Sequence, residues 1–266
     1  MNRDQILVFC YHKSGTVLFG SVMQRIATRL GLTMQSRFGF VPFIDPTADI
    51  VLLGHALLGA LPARRFRAVR IIRDPRDIWV SGYLYHRRCR EIWCINTHLN
   101  PASPINFPQV PMAFAHRRER WKRDYLRRLG GMSYQQNLLM RDREAGLAFE
   151  LAGYTAGTLE DMSAWPWRDA GIADIMLEHI AADFDGTFST VLAHLGFAAD
   201  ELPDLLRLAA TEDINRMDDS AIAGHTHIHG RRLSKWAEML DAAQVAGFER
   251  THGGLIARLG YAPAAP

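Results

Sequence analysis

Hydrophobic positions in this chain alternate between two patterns. Residues 6–11 form an unbroken apolar run rich in Ile, Val and Phe, as expected of a strand buried on both faces. A polar turn, His12-Lys13-Ser14-Gly15-Thr16, follows at once. Leu18, Val22, Ile26 and Leu30 then recur at every fourth position, with Ser21, Gln24, Arg25, Thr28 and Arg29 between them, which predicts an amphipathic helix ending at Gly31. A second strand is predicted over 49–53, running into Gly54-His55, and a third over 68–72, running into Arg73-Asp74-Pro75-Arg76-Asp77. Asp74 is placed to cap a helix that begins at Pro75, where a missing amide hydrogen costs nothing. A fourth apolar run, 172–177, precedes Glu178 and a helical pattern through Phe188, Val191, Leu192 and Leu195. Strands alternating with helices predict an α/β fold, a central parallel sheet flanked by helices, with ligands gathered at the carboxyl ends of the strands. Between these elements, 87–167 carries Pro101, Pro104, Pro108 and Pro111 and then turns helical and charged over 116–129.

Composition narrows the class. A chain of 266 residues with 48% hydrophobic and 22% charged content is that of a globular protein, not of a disordered tail, a coiled coil or a membrane channel. Thirty-one basic against 28 acidic residues leave a net charge of +3, too slight to imply nucleic acid. Arginine supplies most of the basic residues, and its planar fork suits phosphate and sulfate oxygens. The longest uncharged stretch, 50–63, contains His55 and is too short to span a membrane, so no integral membrane segment is expected. Cys10, Cys89 and Cys94 are an odd count without a disulfide pattern, and a cytoplasmic location is the expectation.

Two segments carry candidate chemistry. Lys13-Ser14-Gly15-Thr16 lies where a strand becomes a helix, so backbone amides and the helix dipole meet an anion there, with a lysine and hydroxyls beside them. It is not a Walker A loop, because its lysine precedes the glycine; taken alone it also reads as an ordinary polar turn. Arg73 closes the third strand and Ser81 follows in the helix; both suit an anionic ligand, although Arg73 is equally suited to hold the turn through Asp74 or Asp77. The alternating His225, His227 and His229, and the pair Cys89 and Cys94, are incomplete as metal sites, and no metal is expected. The basic residues around Trp121 read as a solvated helix face or as a contact for an anionic acceptor or a membrane surface.

Together the segments resemble the sulfotransferases that use 3′-phosphoadenosine 5′-phosphosulfate (PAPS). Tyr11-His12-Lys13-Ser14-Gly15-Thr16 resembles that family's 5′-phosphosulfate loop, Tyr-Pro-Lys-Ser-Gly-Thr-Thr-Trp, and Ile72 to Asp77 with Ser81-Gly82-Tyr83 its 3′-phosphate motif. Ser133-Tyr134-Gln135, Trp165, Leu177-Glu178-His179-Ile180, Leu195-Gly196-Phe197, 227–236 and Leu259-Gly260-Tyr261 continue the likeness, which leaves 87–130 without a counterpart. The departures are Val17 and Leu18 for the second threonine and the tryptophan, Leu177 for a tyrosine, and His229-Gly230-Arg231 for Arg-Lys-Gly.

The resemblance implies a P-loop-like sulfotransferase fold in one domain, 1–266, with 87–171 as the acceptor-binding insertion. It implies direct, metal-free transfer of a sulfuryl group from PAPS to a hydroxyl or amine of a small-molecule or glycan acceptor. Lys13 would stabilise the leaving phosphate; Lys13, Ser14, Gly15 and Thr16 would hold the 5′-phosphate, and Arg73, Ser81, Arg231 and Arg232 the 3′-phosphate. The run Leu53-Gly54-His55-Ala56-Leu57 resembles the family's Lys-Thr-His-Leu-Pro and makes His55 the base, with His86 and Glu91 as substitutes. Trp93, Phe107, Phe114 and Tyr134 either line an aromatic acceptor site or pack. Two other readings remain open: a PAPS-binding or product-binding homologue with little or no turnover, and a P-loop small-molecule kinase.

Overall fold

The computed structural model describes residues 3–98, 107–108, 118–224 and 233–264; the side chains of 118, 119, 121 and 223 are outside the description. The chain falls into two compact units, one of 1–73 and 166–224, the other of 74–165 and 225–266. Among the described residues the first holds strands β1 (Gln5–Cys10), β2 (Met34–Val41), β3 (Ile50–Leu58), β4 (Phe66–Ile72) and β5 (Ile172–Met176), all parallel, in the order β2-β3-β1-β4-β5. This is the parallel α/β architecture expected from the sequence. β1 is buried along its whole length, as its unbroken apolar run requires.

Helix α1 (Thr16–Leu30) follows β1 and ends at Gly31, whose φ of 64° is the left-handed cap that glycine supplies without strain. Its buried face is Phe19, Val22, Met23, Ile26 and Ala27, so the predicted row is rotated: Leu18 and Leu30 lie at its margins. Two strand predictions need correction. β2 was not anticipated, because Met34–Val41 is an edge strand with polar and exposed positions. The strand predicted over 49–53 continues through Gly54 and His55 to Leu58, since β2 pairs with it beyond the end of β1. Among the described residues no helix is long and apolar enough to cross a membrane.

In the second unit, α2 (Pro75–His86) begins as anticipated: Pro75 is its first residue and Asp74 Oδ1 accepts from the Arg76 amide at 2.9 Å. α2 is buried except at Leu84, so polar residues on it need partners. Arg76 has them in the Asp74 carboxylate, Glu249 (2.7 Å) and the Ala262 carbonyl (2.8 Å), and its guanidinium stacks on Trp236 at 4.0 Å. Asp77 accepts from the Trp236 amide at 3.0 Å.

The other helices of this unit are α3 (Ile92–Ile95), α4 (Arg118–Leu129), α5 (Tyr134–Leu139), α6 (Arg143–Glu150) and, after one π-helical turn (Leu151–Thr155), α7 (Ala156–Ser163). α4 buries Tyr125 and Leu129 and leaves Arg120, Arg123, Asp124, Arg127 and Arg128 exposed. The first unit adds α8 (Leu177–Ala182), α9 (Phe184–His194), α10 (Leu202–Ala210) and α11 (Asp219–Gly224), and the second closes with α12 (Trp236–Met239) and α13 (Ala242–Arg258).

Asp161 on α7 is a buried carboxyl whose Oδ1 has no hydrogen-bond partner. Burial, and then the charge of Glu160, push its pKa up to about 8. The carboxyl is neutral in both states below about pH 4. Between there and pH 8 the unfolded chain loses the proton that the folded chain keeps, so stability falls as pH rises through that window. Asp161→Asn is therefore expected to raise the melting temperature at pH 8 and to leave it nearly unchanged at pH 4. Equal shifts at the two pH values in thermal melts would contradict this.

Candidate functional site

The site is built at the carboxyl ends of β1, β3 and β4. From β1 the chain leaves toward β3 and β2, whereas from β4 it goes on to β5 on the other side. Adjacent parallel strands that depart in opposite directions leave a crevice at their carboxyl ends, where such sheets take ligands.

The loop after β1 is shaped by its own polar groups. Ser14 Oγ accepts from the Tyr11 amide at 2.7 Å and donates to the Tyr11 carbonyl at 3.0 Å, and the Ser14 amide donates to that carbonyl at 3.2 Å. Thr16 Oγ1 donates to it as well, at 3.3 Å. The Ser14 side chain is thus turned inward, completely buried, as the staple of the turn. Gly15 takes a φ of 103°, and a Cβ there would lie 3.2 Å from Leu177 Cδ1, so Leu177 at the start of α8 supports the loop from behind.

Beneath the loop, burial pushes the Cys10 thiol far above its ordinary pKa, with a hydrogen bond to Thr16 opposing it, so the thiol stays protonated. Arg70 on β4 is buried; desolvation would lower its pKa, but hydrogen bonds with Asp174 and Tyr11 outweigh this and hold it above the ordinary arginine value. Tyr11, where the loop begins, is tied to the sheet in this way.

α1 starts with no side-chain cap and no acidic residue in its first turn, unlike α2. Its leading amides have no acceptor within the helix, and the helix dipole makes that end attractive to an anion. Arg73, 4% exposed, donates from Nη1 to the Lys13 carbonyl at 2.9 Å. Lys13 is half-buried. A lysine, an arginine and the positive end of a 15-residue helix thus meet at one turn.

His55 arrives from β3 by a β-bulge. Phe38 pairs with Gly54 and Gly39 with Ala56, which leaves His55 as the extra residue. Gly54 permits a close approach here: a Cβ on it would lie 2.6 Å from Phe38 Cε1 and 3.0 Å from Thr16 Cγ2. The close approach brings the loop after β1 and the bulge in β3 together. Among the described residues, the two non-glycine residues with positive φ are Lys13 at 60° and His55 at 50°. Left-handed backbone costs a side-chain-bearing residue about 1–2 kcal/mol and persists where the surroundings over-determine it, commonly at functional sites.

No family model matches this chain, and no curated protein does. Solved structures are similar to it, among them the following two. A mouse sulfotransferase, SULT7A1, complexed with PAP, is 16% identical over 97% of this chain and 85% of that one, with a TM-score of 0.46. A retinol dehydratase in complex with androsterone and the inactive cofactor PAP is 12% identical over 100% of this chain and 84% of that one, with a TM-score of 0.45.

The remaining residues proposed from the sequence stand as follows. Ser81 is buried in α2. Arg231 and Arg232, the alternating His225, His227 and His229, and Phe114 lie outside the described residues. His86 is completely buried, bonded through Nδ1 to Glu150 at 2.8 Å and packed against the rings of Trp93, Tyr134 and Tyr154. Glu91 is exposed and accepts from Tyr85 Oη and Trp93 Nε1. Trp93 and Tyr134 pack around His86, and Phe107 packs on Tyr125 with ring centroids 5.7 Å apart. Cys10, Cys89 and Cys94 are free thiols. Among the described residues, no three His, Cys, Asp or Glu side chains gather as a metal site. Sequence reasoning assigned nothing to His12, whose ring lies against His55.

Proposed function

We propose that this chain transfers a sulfuryl group from PAPS to a hydroxyl or amine of a small-molecule or glycan acceptor. The observation that carries the reading is the turn after β1: an uncapped helix N-terminus, Lys13 and Arg73 gathered at one end of the sheet, with His55 delivered beside it by the neighbouring strand. The resemblance of Tyr11 to Thr16 and of Ile72 to Asp77 to the two nucleotide motifs adds the identity of the anion. The residues fit such a group: Gly15 places no side chain over the amides of α1, and nothing acidic stands in its first turn.

On this reading the amides from Gly15 and Thr16 onward hold the 5′-phosphate, with Ser14 shaping their turn. Lys13 neutralises the charge that grows on the bridging phosphate oxygen as the sulfur–oxygen bond breaks. Arg73 serves the 3′-phosphate while its bond to the Lys13 carbonyl ties that contact to the loop. The resemblance also implicates Ser81, Arg231 and Arg232, which enter as single-substitution tests. His55 accepts the proton of the acceptor hydroxyl as that oxygen attacks sulfur.

Calorimetric titration with adenosine 3′,5′-bisphosphate, with ATP as the control, tests the reading. Micromolar binding of the bisphosphate without ATP binding is expected. Arg73→Ala should weaken it by at least about a hundredfold, the effect of losing charged hydrogen bonds worth about 3 kcal/mol. His55→Ala should bind normally yet fail to transfer from labelled PAPS. Preference for ATP with magnesium would favour a kinase, and bisphosphate binding without transfer to any acceptor in a broad screen would favour a binding protein.

A further inference from the structure

His12 occupies the position at which the sulfotransferase loop has proline, and neither nucleotide binding nor group transfer, as derived above, calls on it. Proline there would restrain the backbone and present no planar ring with exchangeable nitrogens. The histidine is 4% exposed, so its orientation is set by packing. Its ring centroid lies 5.1 Å from that of His55, with the planes 87° apart. Across His55, the Phe38 ring lies 6.1 Å away, also perpendicular at 89°. His55 is therefore in edge contact with two aromatic rings, one from the loop after β1 and one from β2. Perpendicular aromatic pairs at such distances attract each other beyond the gain from burying their area.

Those contacts fall on a residue with strained backbone. As the extra residue of the bulge, His55 holds φ at 50°, and a histidine side chain has two torsions, χ1 and χ2, to be set. A base must place one ring nitrogen within about 2.6–3.2 Å of the proton it removes, and an error of about 1 Å costs about a hundredfold in rate. The two perpendicular neighbours bear on both torsions. We propose that His12 is a positioning residue, fixing the imidazole of His55 in the orientation in which it meets the acceptor; the proposal rests on the reading of His55 as the base.

His12→Ala and His12→Phe test this in two ways. With PAPS and an acceptor found by screening, His12→Ala should lower kcat about 30- to 100-fold while leaving the affinity for adenosine 3′,5′-bisphosphate within twofold. His12→Phe, which keeps the edge-to-face ring, should recover most of kcat. Independently of turnover, the ring protons of His55, assigned by their loss in His55→Gln, should show a fixed ring-current shift in the parent protein and in His12→Phe. That shift should collapse in His12→Ala. An unaltered His55 signal in His12→Ala, or His12→Phe as impaired as His12→Ala, overturns the proposal. If the parent protein neither binds the bisphosphate nor transfers, the sulfuryl-transfer reading fails, and the ring shifts by themselves decide whether His12 orients His55.

Discussion

Replacing Lys13 with alanine is expected to lower the rate of transfer from PAPS by about a thousandfold, the scale on which a preorganised charge at a leaving oxygen acts. On the sulfuryl-transfer reading, the surroundings of Lys13 account for an effect of that size. Lys13 stands in left-handed backbone at the end of a fully buried strand, and Arg73 holds its carbonyl in place. The neighbouring helix end supplies partial positive charge before any reaction begins. Little reorganisation is then needed as charge develops. Initial rates with labelled PAPS check this, beside calorimetry with adenosine 3′,5′-bisphosphate, whose affinity should change by no more than about tenfold. Lys13→Arg should restore only part of the rate, because a planar fork does not place its charge where an ammonium does. Transfer in Lys13→Ala within tenfold of the parent rate would remove Lys13 from the step.

The second large effect is on stability. Glu150→Ala is expected to destabilise the unit containing it by about 3–5 kcal/mol. Glu150 is completely buried, and its carboxylate collects three bonds: from His86 Nδ1 at 2.8 Å, Tyr134 Oη at 2.9 Å and Thr155 Oγ1 at 3.0 Å. Removing it leaves those three polar groups in the interior without their acceptor. The carboxylate and the Tyr134 phenol are packed closely against glycines. A Cβ on Gly82 would lie 2.7 Å from Glu150 Oε1, and one on Gly153 would lie 2.5 Å from Tyr134 Oη. Burial, followed by the charge of Glu150, holds the Tyr134 phenol far above its ordinary pKa, so it remains a donor. Chemical denaturation of Glu150→Ala and the milder Glu150→Gln measures the effect; a loss under about 1 kcal/mol in Glu150→Ala would show that the network contributes little.

Local signals announced much of this molecule. The unbroken apolar run of β1, the glycine that stops α1, and the Asp-Pro start of α2 are each encoded within a few residues, and the structure carries all three. Other features left weak traces. Glu150 sits among apolar residues in sequence, a hint of a buried carboxylate, but its three partners are 64, 16 and 5 positions away. β2 presents an exposed, mixed pattern that resembles a loop, because an edge strand is specified by the backbone it pairs with more than by its own side chains.

By itself, then, the sequence determined the strand–turn–helix at Lys13, the arginine just after β4, the capped α2 and the parallel α/β class, since each depends on periodicity and capping read along the chain. The tertiary structure alone decided that His55 is the extra residue of a bulge, that Ser14 turns inward, that Arg73 holds the Lys13 carbonyl, and that His12 lies against His55. These follow from the register between β2 and β3 and from side-chain contacts between residues far apart in sequence. A one-residue offset in pairing, which no local pattern records, is what makes His55 the extra residue of β3 and brings it beside the loop after β1.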